Sequence, residues 1–185
     1  MSLTTRTGLP PELRILADAY PREMWQGHAN FSQLTAFWLD RHGMFRELTA
    51  KLIASSQEQL DGKSDPMRFG ANLSRLTGFF LENLHGHHSI EDHHYFPQLA
   101  PLDSRVARAF ELLDADHHAL HEHLSGLAEA TNAVLRPLQD GAQITDPTAK
   151  LLRSQTALTG FLERHLTDEE DVVIPLILEY GPDLS

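Results

Sequence analysis

Two short stretches punctuate the chain in the same way, "DGKSDP" over residues 61–66 and "DGAQITDP" over residues 140–147. Each is a Gly- and Asp-rich loop ending in Asp-Pro, a good N-cap followed by a proline at the first helical position. Long segments with helical periodicity flank both loops, and strand signals are poor. The first runs from about Arg22 to Ala54, with Phe31, Leu34, Trp38, Phe45, Leu48 and Leu52 at three- and four-residue steps. The second runs from about Asp65 to Leu99, the third from about Asp103 to Arg136, and the fourth opens at Asp146-Pro147. Each half therefore reads helix, loop, helix. Two such hairpins stack as an all-α, up-down-up-down four-helix bundle. The bundle is expected over residues 22–185, behind an N-terminal extension at 1–21. In that extension "LPPELRILADAYP" forms a short helical prelude, whose Leu9, Leu13 and Leu16 are expected to pack outside the main core.

Composition narrows the chemistry. The 185 residues carry a formal net charge of −11 and no basic run, which argues against nucleic acid and anionic membrane as partners. There are no cysteines, so disulfides, zinc fingers, iron–sulfur clusters and thiol nucleophiles are excluded. No apolar stretch approaches the ~20 residues of a membrane span, and the polar opening "MSLTTRTG" does not read as a signal peptide. A cytoplasmic location is the expectation.

The histidines carry the functional signal. Residues 85–97 read "HGHHSIEDHHYFP". When the two halves are aligned on Pro97 and Pro175, His87 falls on His165 and Glu91 on Glu169. Both helices thus carry H-x-x-x-E with a proline six residues after the acid. A four-residue step turns a helix by ~400°, so histidine and acid share one face. Phe80, Leu84 and Ile90 lie within ~60° of His87, and Leu158, Phe161, Leu162 and Val172 surround His165 likewise, so that face is the core face. An unpaired carboxylate there costs several kcal/mol and calls for a cation or a metal. His42 lies on the stripe of Trp38 and Phe45, and His117 on that of Leu113, Leu120 and Leu124. His121 and His94 also fall inward. Asp92 and Glu170, at ~140°, are expected to point outward, and His28, His85, His88, His93, His118 and His123 to be solvated or to support the ligands. The expected metal ligands are His42, His87, Glu91, His117, His121, His165 and Glu169.

On these motifs the chain resembles the hemerythrin-like (HHE cation-binding) family. The resemblance runs from about Arg22 to Tyr180 and rests on His42, "HHSIEDHHYFP", "DADHHALHEHL" and "HLTDEEDVVIP". His121 matches the second histidine that classical hemerythrins carry in the third helix. Their last carboxylate stands five residues after its histidine, which selects Glu170; the internal repeat and the core face select Glu169. The resemblance implies a non-haem di-iron centre bridged by two carboxylates. Imidazole and carboxylate donors also suit manganese or zinc. A ferritin-like site needs two Glu-x-x-His motifs, and only Glu91-x-x-His94 qualifies.

Three functions fit such a centre. The leading one is a binding protein for oxygen, or a sensor of oxygen, nitric oxide or iron that a separate protein partner reads. The second is an enzyme acting on peroxide or nitric oxide. The third is a closed structural zinc site. The expected ligand is a small diatomic molecule or peroxide.

Overall fold

A computed structural model describes residues 6–184, so most of the polar opening stretch lies outside it. Every regular element among the described residues is helical. A 3-10 turn at Pro11–Leu13, α1 (Ile15–Ala19) and a 3-10 turn at Arg22–Gly27 precede α2 (Gln33–Leu60) and α3 (Pro66–Ile90). A π turn (Glu91–Tyr95), α4 (Phe96–Leu99) and a 3-10 turn (Ala100–Leu102) lead into α5 (Ala107–Gln139) and α6 (Thr145–Tyr180). Four long helices packed as a bundle follow short N-terminal pieces, as the periodicity implies.

The helix starts differ in detail from expectation. The first long helix begins at Gln33, not Arg22, because His28 is extended (φ −79°, ψ 141°) after the 3-10 turn. Ser32 caps it, its Oγ accepting from the Thr35 amide at 3.2 Å. Asp65 caps α3 as its sequence suggests, accepting from the Arg68 amide at 2.8 Å. Asp146 does not cap α6, which already starts at Thr145 and leaves Asp146 in its first turn.

The described chain clusters into two compact units, and every long helix contributes to both. One unit comprises residues 44–85 and 119–162. Its core holds Phe45, Phe69, Leu73, Phe80, Leu127, Leu151 and Leu158. Phe45 meets Phe80 edge to face, centroids 6.2 Å apart. Gly70 lets α3 and α5 approach closely, since a Cβ there would lie 2.3 Å from Leu138 Cδ2. Both hairpin loops leave their helices identically. Gly62 and Gly141 each adopt φ +70°. The Lys63 amide then reaches the Glu58 carbonyl at 2.9 Å, and the Ala142 amide the Pro137 carbonyl at 3.0 Å, the Schellman geometry.

The other unit comprises residues 6–43, 86–118 and 163–184. Its buried cluster joins Trp38, Phe96, Leu99, Phe110, Leu113, Val172 and Ile177 to Leu9, Leu13, Leu16 and Trp25. The prelude leucines therefore belong to this apolar core and do not form a separate outer layer.

Within this unit the π turn matters most. The Phe96 amide bonds the carbonyl of Glu91, five residues back, which inserts one residue into the helical repeat. Pro97 follows, and its missing N–H and ring disfavour a regular turn there. Pro175 occupies the equivalent place without interrupting α6, so proline alone does not create the wide turn.

The glycine geometry gives a test. Replacing Gly141 by alanine forces a Cβ into the left-handed region and is expected to cost about 1–2 kcal/mol. Urea unfolding of Gly141→Ala should show that loss with an unchanged m-value.

Candidate metal centre

All four long helices bring ligand-type side chains into the second unit, and two clusters result. His42, His87, Glu91 and Glu169 form one, all buried, with one donor atom from each lying within 4.8 Å of the others. His88, His117 and His165 form the other, also buried and within the same distance. Ligand atoms ~2.1 Å from one ion lie at most about 4.3 Å apart, so both clusters are close to binding geometry.

The two glutamates of the first cluster also face histidines of the second. Glu91 Oε1 is 2.9 Å from His87 Nε2, while its Oε2 is 3.8 Å from His117 Nε2. Glu169 Oε2 is 3.6 Å from His42 Nε2 and 3.5 Å from His165 Nε2. The Trp38 indole N–H donates to Glu91 Oε1 at 2.7 Å, and the ring lies 4.1 Å from that of His42.

Several of these buried atoms have no hydrogen-bond partner. They are His88 Nε2, Glu91 Oε2, His117 Nε2, both ring nitrogens of His165 and both oxygens of Glu169. Buried polar groups are otherwise almost always paired, because desolvation without a partner costs a few kcal/mol. Orphaned atoms that converge as one donor set fit bound cations well.

Electrostatics point the same way. Burial holds the His42 and His88 imidazoles below their ordinary range and brings His165 down to about 4. Neutral imidazoles keep a lone pair for a metal. Burial pushes Glu169 well above the carboxylate range, and the charge of Glu91 pushes it further. Burial would raise Glu91 too, but His87, His42 and His117 outweigh it and bring Glu91 to about 2. Without a cation, the two facing acids cannot both stay charged.

Further carboxylates stand behind three of the histidines, two of them within hydrogen-bond distance. Asp92 Oδ1 lies 2.7 Å from His117 Nδ1, and Glu170 Oε1 lies 3.0 Å from His42 Nδ1. In both repeats the acid next to the central glutamate thus turns to a histidine of another helix. Asp116 Oδ2 is 3.7 Å from His165 Nδ1. Arg6, 1% exposed at its side chain, donates from Nε to Asp168 at 2.8 Å and forks onto both oxygens of Asp116.

Residues 33–177 match the model for the hemerythrin HHE cation-binding domain. The chain belongs to the hemerythrin HHE family. No curated protein and no solved structure matches it.

For this hemerythrin-family chain, the structure brings together His42, His87, Glu91, His117, His165 and Glu169 from the expected ligand set. His121 is not among them. It is exposed, and His88 stands with His117 and His165 instead. His88 sits ~100° from His87, on a buried stripe shifted toward it: Ile90, expected on the core face ~60° the other way, is 53% exposed. It stacks on His117 at 4.0 Å. The doubled histidine at 87–88 was the available signal. His94 is also exposed, bonded to Gln98, because the π turn rotates it out of the stripe. Asp92 is only partly exposed for the same reason and reaches His117. Glu170, expected outside, is 3% exposed and covered by Arg22. Arg6 and Arg22 gave no periodic signal at all.

The buried acid makes a stability test. Glu169 in the metal-free fold keeps a proton that the unfolded chain releases above 4.5, so metal-free stability falls as pH rises from there toward the folded value. Glu169→Leu removes the buried acid and that slope. At pH 7 the metal-free variant is expected to exceed metal-free wild type by about 1–4 kcal/mol in urea unfolding. After metal loading the ranking should reverse.

Proposed function

We propose that the protein is a non-haem dinuclear iron protein that binds a small diatomic ligand or peroxide, or senses oxygen, nitric oxide or iron. The observation that carries this reading is the placement of Glu91 and Glu169, each with carboxylate oxygens facing histidines of both clusters. Two acids so placed suit a pair of ions that share them. When bound, such a pair supplies reversible electron exchange and open coordination positions.

The protein's own residues would divide the work. His88, His117 and His165 would hold one ion and His42 and His87 the other, with both acids common to the two. The His42–His87 side has one donor fewer, so it is the side with room for a small ligand. Five histidines and the four oxygens of two shared carboxylates would supply about nine donor atoms to such a pair. Trp38 fixes Glu91 through its N–H, while Asp92 and Glu170 hold the outer nitrogens of His117 and His42 and so orient both rings. The apolar cluster around Trp38, Phe96 and Phe110 keeps water away. Burial of His42, His165 and Glu169 at 0% exposure admits only small ligands. The same burial favours one competing reading, a closed structural site holding zinc or manganese.

A separate protein partner would read out any sensing. Among the described residues no helix is long and apolar enough to cross a membrane, and we place the protein in the cytoplasm.

Metal analysis with an absorption spectrum of aerobically purified protein tests the reading. About two iron ions per chain, with near-ultraviolet absorption of an oxo-bridged ferric pair, are expected; a colourless zinc form would sustain the structural reading. Glu91→Ala should lose both ions together, and loss of one alone would refute sharing through Glu91. Chelation should lower the melting temperature, since the ions hold together acids that otherwise repel.

A further inference from the structure

The matched family residues begin at position 33, yet an arginine ahead of them reaches the back of the centre. Arg22 lies in the 3-10 turn Arg22–Gly27. Its Nη1 donates to Glu170 Oε2 at 2.6 Å, and its Nη2 to Asp171 Oδ1 at 2.6 Å. The other oxygen of Glu170 lies 3.0 Å from His42 Nδ1. Every link from Arg22 through Glu170 to His42 is therefore within hydrogen-bond distance. On the opposite side Arg6 grips Asp116, but the gap from Asp116 to His165 is 3.7 Å, too long for a hydrogen bond. Only the Arg22 chain is closed.

The turn that carries Arg22 is itself held in place. Trp25 is buried, its indole N–H donates to the Tyr20 carbonyl at 2.8 Å, and the guanidinium carbon of Arg22 stands 4.8 Å above its ring. A further donation from its Nη2 to the Thr167 carbonyl, at 3.3 Å, also ties the fork to α6. Such a fork presents a fixed geometry that a lysine point charge lacks.

We propose that Arg22 is a positioning residue of the metal centre: it anchors Glu170, which orients the His42 imidazole toward the ion. The inference rests on the metal reading above. Two effects of removing Arg22 oppose each other. Losing its positive charge favours cation binding, but its side chain is 45% exposed and that term is screened. Losing the anchor loosens Glu170 and, with it, a ligand that is itself fully buried. The second effect wins, because the hydrogen bonds behind a ligand histidine are worth about 10- to 100-fold in metal affinity.

The test uses the full chain loaded with cobalt(II) alone, whose visible bands report ligand geometry, and follows its transfer to a chelator. Arg22→Gln is expected to release cobalt about tenfold faster than wild type and to shift the visible bands. Arg14→Gln makes the same charge change in the N-terminal segment, at an exposed pair with Asp18, and should match wild type. The double variant Arg22→Gln/Glu170→Gln should release no faster than Glu170→Gln, since both act through one chain. Independent, multiplying effects would overturn the proposal, as would a wild-type release rate in Arg22→Gln. Faster release with an unshifted spectrum would mark a merely structural contact and overturn it equally. A wild-type protein that takes up no cobalt would refute the metal reading itself, which separates that failure from the failure of Arg22.

Discussion

Glu91 and Glu169 face each other in a dry interior, and the rest of this unit is organised around that conflict. Two carboxylates in such a place repel, and each loses its hydration. Both oxygens of Glu169 and one of Glu91 are left without a hydrogen-bond partner. Burial holds the His42 and His165 imidazoles low, which keeps their lone pairs available to a cation. A proton on Glu169 relieves that repulsion in the metal-free fold, and bound cations let both acids stay charged, which is why a cation-binding domain can keep such a core.

The supporting acids extend the same logic outward. Asp92 and Glu170 each follow a central glutamate, and each turns away from the centre to grip a histidine on another helix. Adjacent acids in one sequence pair thus perform two tasks, one toward the centre and one behind a ligand. In α6 a regular helix manages this because α2 and the N-terminal segment cover its flanks, burying Asp168, Glu169 and Glu170 in succession. In the other repeat a π turn does it, opening the helix at Glu91 and carrying Asp92 round to His117. Wide turns of this kind recur at functional sites, and here the turn has a definable job.

The N-terminal residues are integral to this unit. Leu9, Leu13, Leu16 and Trp25 enter its apolar cluster, and Arg6 and Arg22 balance acids behind the clustered histidines. Arg6 is paired with two aspartates in a place where an unpaired guanidinium would be costly. The segment therefore contributes both packing and charge to a centre whose candidate ligands lie in the four long helices and the π turn.

Much of this was legible in the residues alone. The three- and four-residue apolar spacing, the two Asp-Gly loops and the doubled H-x-x-x-E motif determine four helices, two hairpins and one inward-facing acid per half, because helical geometry maps spacing directly onto a face. His42, His87, Glu91, His117, His165 and Glu169 follow from that mapping. His88, His121, His94, Asp92 and Glu170 do not. Each sits at the margin of a stripe, or beyond a turn whose hydrogen bonding departs from the regular repeat. Whether a marginal position is buried depends on which neighbour covers it, and that is a property of packing. The partners of Arg6 and Arg22 lie more than a hundred residues away, so only the tertiary structure could bring them to the candidate metal centre.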